Sequence, residues 1–282
     1  MSHTWDRETK DEKLNLTLLG WLLVPLRGLV LGTLVFGCLG LLLLVRLIER
    51  PLFGMLRPFT PYITQFVCRN AFRIMGIGFS TQGELMTERG AVVANHSSWL
   101  DIFALNVRKR IYFVSKAEVA KWPLIGWLAR ATGTVFIERN RTQARKHTRM
   151  FEDRLRIGHK LLFFPEGTST DGVRVLPFKT TLFQAFFSEK LRDIMWIQPV
   201  TLIYRAPDGQ PAKFYGWWGD MDFGWHLLKT LGTVRQGSVT LVYHPAVKVS
   251  DFANRKALAA HCEQAVRGRL QDALGRDYGV DN

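Results

Sequence analysis

A chain of 282 residues is long enough for one large α/β core or two small ones, and length alone does not choose. Its net charge of +14 and pI near 10 call for something anionic, whether an acidic lipid surface, an acidic carrier protein or nucleic acid. Three cysteines, odd in number, far apart and without CxxC spacing, argue against both a disulfide framework and a zinc cluster and suit a reducing compartment.

The N-terminal fifth is organised by hydropathy. From Leu14 to Ile48 the only charges are Arg27 and Arg46, and Gly28 to Val45 is an uncharged run of 18 residues, near the lower length limit for a spanning helix. As one helix the stretch would exceed a hydrocarbon core of ~30 Å, so a break at Pro25 and Gly28 is expected. It would give either two helices that enter and leave one leaflet or a short lead-in and one span. A cleaved signal peptide fits less well, because the first thirteen residues carry four acids against three bases and no Ala-x-Ala site ends the run. Residues 1–58 are therefore expected to be membrane-anchoring helices. Arg46, Arg50 and Arg57 follow the apolar run, which places that side in the cytoplasm. Nine Trp and 19 Phe beside the positive charge fit a membrane surface well, with nucleic acid as the rival.

Residues 59–282 read as a single α/β unit. Strands are predicted at Ala91–Ala94, Gly133–Glu138, Lys160–Phe164, Met195–Tyr204 and Ser238–Tyr243, with intervening segments long enough for crossover helices. This pattern implies a mixed, mostly parallel sheet flanked by helices. A closing amphipathic helix is expected over Arg255–Leu274, through Leu258, Cys262, Ala265, Val266 and Leu270.

The first of these strands runs into Asn95-His96-Ser97-Ser98-Trp99-Leu100-Asp101. On one continuous helix His96 and Asp101 would lie about 140° apart and could not touch. Across a turn they can: Ser98 followed by Asp101 has capping-box spacing, so a helix beginning at Ser98 leaves His96 on the loop and lets Asp101 turn back to it. A carboxylate on Nδ1–H fixes the tautomer and leaves Nε2 as a general base. No G-x-S-x-G elbow supplies a protein nucleophile. Such a dyad suits a reaction in which a substrate hydroxyl attacks an already activated partner, such as a thioester. For the pattern alone, a helix-start Asp101 and a satisfied loop His96 are an equally good reading.

Three further blocks follow in order: Gly133-Thr-Val-Phe-Ile-Glu-Arg139, Phe164-Pro-Glu-Gly-Thr168, and Ile197-Gln-Pro-Val-Thr201, where a proline interrupts the strand. With His96-x4-Asp101 they resemble the four ordered blocks of the glycerolipid acyltransferases, typified by the 1-acylglycerol-3-phosphate acyltransferases. The resemblance covers about Ala91 to Tyr204, includes Lys116-x-Glu118 with Pro123 and Gly126, and extends to a hydrophobic N-terminal helical pair. It implies His96 as the base that takes the acceptor's hydroxyl proton and Asp101 as its support. The substrate-binding residues it implies are Asn95, Lys116, Arg139, Glu166, Gly167, Thr168, Ser169 and Pro199. Within that set, Glu166 and Gly167 would orient the acceptor, Arg139 and Lys116 would supply positive charge, and Pro199 would shape a strand end. It also implies acyl-carrier protein or acyl-CoA as donor, a lysolipid acceptor, and a place on the cytoplasmic side of the inner membrane. No cofactor, metal or nucleic-acid partner is expected; the histidines show no HExxH spacing.

One departure bears on the acceptor. Phosphatidate-forming members usually continue the third block with arginine after Glu-Gly-Thr, as a bidentate phosphate clamp, and here Ser169 stands in its place. That variant, with LPFKTTLF after it and GDMDFG at 219–224, resembles the lyso-ornithine lipid acyltransferases. Asp220 and Asp222 could then meet an ammonium group or simply make a turn. Lys179 and Arg174 could restore the lost charge and the phosphatidate reading. Trp217, Trp218 and Trp225 fit a packed turn or the headgroup level equally well. A lipid-surface protein that kept the scaffold without the reaction is a more remote alternative.

Overall fold

The structure is a computed structural model and describes residues 16–138 and 144–275. Helix α1 (Leu18–Phe53) is continuous over 36 residues, about 54 Å at ~1.5 Å per residue. The expected break at Pro25 and Gly28 does not occur. Proline removes one amide donor, but the flanking turns are held against α6 (Phe223–Gly232) by groups on both sides of it. Gly20 approaches Gly232 so closely that an added Cβ would lie 2.5 Å from its carbonyl oxygen. Beyond the proline, Arg27 donates to the carbonyls of Leu231 (2.9 Å) and Thr233 (2.7 Å), closing the C-terminal end of α6 with a cation. Helix α1 is long and apolar enough to cross a membrane, and only 11% of its most hydropathic window is buried. Its remaining surface is a row of uncovered leucines that includes Leu22, Leu26, Leu29, Leu44 and Leu47. Helix α2 (Thr60–Met75) packs back on α1, and Phe59, Tyr62 and Phe66 extend the exposed apolar surface around its start.

The described residues build eight strands: β1 (Gly78–Gln82), β2 (Gly90–Ala94), β3 (Tyr112–Lys116), β4 (Val135–Ile137), β5 (Leu161–Phe163), β6 (Trp196–Arg205), β7 (Ser238–Tyr243) and β8 (Val247–Lys248). Their order is β1-β7-β6-β2-β5-β3-β4, with β8 beside β6. All pairings are parallel except β6 with β7 and with β8, so the sheet is mixed and mostly parallel, as expected. The crossover helices are α3 (Leu100–Asn106), α4 (Ile125–Thr132) and α5 (Ala144–Arg156). One face of the sheet carries α2 and α3; the other carries α7 (Arg255–Leu274), whose Leu258, Cys262, Val266 and Leu270 are buried. Asn254 accepts from two first-turn amides of α7, and Gly275 closes it in the left-handed region that favours glycine.

Pro199 corrects an expectation. It lies inside the ten-residue β6, buried and opposite Val93, and interrupts nothing. On the other side of β6, pairing with β8 ends at Ile197 and pairing with β7 starts at Val200. The missing N–H therefore falls in a gap between two partners, where a strand tolerates proline.

Candidate active site

The site is built where two parallel neighbours end together. Strands β2 and β5 run in register, Val93 opposite Phe163, so the residues three positions on, His96 and Glu166, leave the same edge of the sheet side by side. Such carboxyl edges are where open α/β sheets form ligand crevices. Both oxygens of the buried Glu166 are engaged: Oε1 accepts from the His96 amide (2.7 Å) and Oε2 from the Leu176 amide (2.7 Å). The Thr170 amide donates to the His96 carbonyl at 2.9 Å, so the Phe164–Thr170 loop clamps the His96 backbone from both sides. The loop can turn this tightly because Gly167 adopts φ +74°, and its amide closes the turn on the Phe164 carbonyl at 3.1 Å. Burial pushes the Glu166 carboxyl up to about 8, against the opposing pull of the two amides.

Asp101 sits in the first turn of α3 and is fully buried. Its Oδ2 meets His96 Nδ1 at 2.7 Å and accepts from the amides of Ser97 (2.7 Å) and Ser98 (3.1 Å). Its Oδ1 accepts from the Tyr204 hydroxyl at 2.7 Å. A buried carboxylate is tolerated only when its lone pairs are filled, and bonds to a charged group contribute about 1.5–3 kcal/mol each. The bond from the Ser98 amide is half of the expected capping box; the reciprocal half is not made, because the Asp101 amide donates to the Ser98 carbonyl (3.1 Å) and the Ser98 hydroxyl accepts weakly from Leu100 (3.4 Å), and the helix starts at Leu100 rather than Ser98. Tyr204 stays protonated, because burial and then the Asp101 charge raise its hydroxyl far above the usual range.

The imidazole is therefore fixed on one side and open on the other. Phe164 stacks on it with centroids 4.0 Å apart and planes 9° from parallel. Nδ1 is taken by Asp101, the side chain keeps 23% of its surface, and among the described residues no group bonds Nε2. This arrangement presents a bare imidazole nitrogen to whatever enters the crevice.

The other sequence candidates separate into three groups. Lys116 ends β3 at the same carboxyl edge, one strand beyond β5, and Thr168 and Ser169 are half-buried on the clamp loop. Asn95 and Pro199 belong to the sheet instead. The Asn95 side chain donates to the Leu202 carbonyl (3.0 Å) and accepts from its amide (2.8 Å), which carries β2 to β6 pairing one residue past the strand end. Arg139 follows β4 but lies outside the described residues. Of the supposed compensating charges, Arg174 is paired with Asp171 at 3.1 Å. Asp222 is the N-cap of α6, accepting from Trp225, so the turn reading holds for it. Trp218 is buried, Trp225 is exposed, and the Trp217 amide donates to the Ser97 carbonyl at 2.8 Å, so the tryptophan cluster is split between core and surface.

Tyr204 and the stacking role of Phe164 were not found from the sequence. Tyr204 is 103 residues from Asp101, and only the pairing of β6 with β2 brings it there. Its place at the end of the predicted strand Met195–Tyr204, just past the last block, was the one available signal.

Comparison with known proteins gives the family and the fold. A family model described as Acyltransferase matches residues 77–202. A lyso-ornithine lipid O-acyltransferase from Rhodobacter capsulatus is 57% identical over 254 residues, covering 90% of this chain and 92% of that protein. A 1-acyl-sn-glycerol-3-phosphate acyltransferase from Neisseria gonorrhoeae is 42% identical over only 95 residues, 33% of this chain and 37% of that one. The crystal structure of a 1-acyl-sn-glycerophosphate acyltransferase from Thermotoga maritima superposes with a TM-score of 0.64 at 20% identity, covering 92% of this chain and 98% of the other, and so shares the fold. With a relative this similar along nearly its whole length, the chain belongs to the acyltransferase family.

Proposed function

We propose that this acyltransferase esterifies the hydroxyl of a lyso-ornithine-type aminolipid, with acyl-carrier protein or acyl-CoA as the only co-substrate. The observation that carries the chemistry is the 2.7 Å contact between His96 Nδ1 and the buried Asp101, with Nε2 left bare. Nε2 takes the proton of the acceptor hydroxyl as its oxygen attacks the thioester carbonyl. The tetrahedral intermediate then collapses, and the imidazolium returns that proton to the departing thiolate. Asp101 keeps Nδ1 protonated throughout and offsets the transient positive charge. Glu166, with both oxygens on backbone amides, positions His96 and the clamp loop, and Asn95 and Pro199 position the sheet beneath. Lys116, Gly167, Thr168 and Ser169 form the acceptor or donor side of the crevice.

The aminolipid is favoured by Ser169 in place of the phosphate-clamping arginine, by the pairing of Arg174 with Asp171, and by the Rhodobacter capsulatus relative. In this reading residues 1–58 hold the chain on the cytoplasmic face of the inner membrane and residues 59–282 carry the chemistry. A lysophosphatidate acceptor is the second reading, favoured by the Neisseria gonorrhoeae relative. The test presents the purified full-length chain in vesicles with one labelled acyl thioester and equal lyso-ornithine lipid and lysophosphatidate. Label should appear in the diacyl aminolipid; preferential labelling of phosphatidate would overturn the acceptor assignment.

A further inference from the structure

Away from the crevice, an open groove of about 760 Å³ lies between the C-terminal half of α1, α4 and α5. Five guanidiniums line it: Arg46, Arg50, Arg57, Arg130 and Arg154. The neighbouring carboxylate, Glu49, meets Arg46 alone of the five; it is buried and already saturated, accepting from Arg46, the Thr60 hydroxyl and the amides of Phe59 and Thr60. Arg57 and Arg154 each spend one nitrogen on a backbone carbonyl, of Ala131 (2.5 Å) and Gly133 (2.7 Å), and Arg130 spends one on Ala120. Arg50 has no acceptor among the described residues, and the buried Nε of Arg154 has none either. Burial, with the Arg46 charge second, lowers the Arg57 guanidinium to about 10. Burial, and then the Arg154 charge, hold His159 near 3.

The chain thus gathers mutually repelling cations without the anion that would balance them. The apolar wall says where that anion comes from. Leu39 and Leu43, on the lipid-length α1, line it together with the exposed Trp127 of α4, an aromatic suited to headgroup level. A soluble phosphate would leave this wall wet.

We propose that the groove is a binding site for one anionic phospholipid of the host membrane. Its headgroup phosphate lies among Arg50, Arg57 and Arg130, and its acyl chains run along the Leu39 and Leu43 side of α1. The site is independent of the acceptor assignment, because it shares no residue with the His96 crevice.

The test uses the full chain in a neutral detergent with phosphatidylglycerol or phosphatidylcholine added, counting retained lipid by native mass spectrometry. One phosphatidylglycerol should remain bound in preference to phosphatidylcholine. The double variant Arg50→Gln/Arg130→Gln should lose it by about tenfold or more, since each basic residue near an anionic headgroup contributes about 1 kcal/mol. Arg192→Gln/Lys256→Gln, which removes the same charge from exposed positions elsewhere, should keep it. A matching melting temperature of the two double variants excludes unfolding as the cause. Equal loss in both, no preference between the two lipids, or displacement by inorganic phosphate or soluble CoA would each overturn the proposal.

Discussion

The His96 crevice and the arginine groove treat charge in opposite ways. In the crevice the chain supplies every partner: Asp101 has two amides, a tyrosine and the imidazole, and Glu166 has two amides. In the groove, five guanidiniums gather near a carboxylate, Glu49, that bonds Arg46 alone of the five and is already saturated. A saturated network fixes one atom in space, here the bare Nε2, and an unsaturated one recruits its partner from outside. Reaction and membrane attachment are thereby separable, and substitutions in the crevice should alter turnover while leaving lipid association untouched.

Three substitutions sharpen that contrast. His96→Ala should lower acyl transfer by ~10²- to 10⁴-fold, the usual range for a general base, while vesicle flotation is unchanged; unaltered turnover would remove His96 from the reaction. Glu166→Gln should cost less in rate, by loosening the clamp on His96, and has a pH signature. An acid whose value rises from 4.5 to about 8 on folding keeps its proton in the folded chain after the unfolded chain has lost it. Its contribution is complete below about 4.5 and is lost as pH climbs to about 8. Melting temperatures across that window should fall more steeply in the wild type than in Glu166→Gln, and identical slopes would refute the burial of a titrating carboxyl. Tyr204→Phe should have the smallest effect on rate, a several-fold fall in kcat at unchanged KM, with about 1–3 kcal/mol of stability lost through an unfilled lone pair on Asp101. A change confined to KM would instead place Tyr204 against substrate.

The sequence was most readable where one pattern decided the outcome. Strand β7 and helix α7 have the predicted limits, since an apolar run or a helical repeat with a capping asparagine leaves little choice. Strands β1 and β3 were missed because Gly-Phe-Ser-Thr-Gln and Tyr-Phe-Val-Ser-Lys mix polar and apolar residues; their strand state comes from pairing with β7 and β5. The α1 break was misjudged for a related reason. Pro25 is a local signal, while the contacts of Gly20 and Arg27 with α6 are made with residues some two hundred positions away. In the site, cap spacing allowed the meeting of His96 and Asp101, and the other ordered blocks decided for it against a satisfied loop histidine. The fourth partner, Tyr204, and the use of both Glu166 oxygens on backbone were not legible, because they depend on strand order and loop closure.

The central claim is that the neutral imidazole of His96 carries its proton on Nδ1 and offers Nε2 to the acceptor. Nitrogen-15 NMR of histidine-labelled protein in detergent, with the His96 signals assigned by difference against His96→Ala, reads this directly. The structure predicts a protonated Nδ1 and a bare Nε2 in the wild type, with that preference lost in Asp101→Asn. A proton on Nε2 in the resting wild type would contradict it, because that nitrogen could then accept nothing from a substrate hydroxyl.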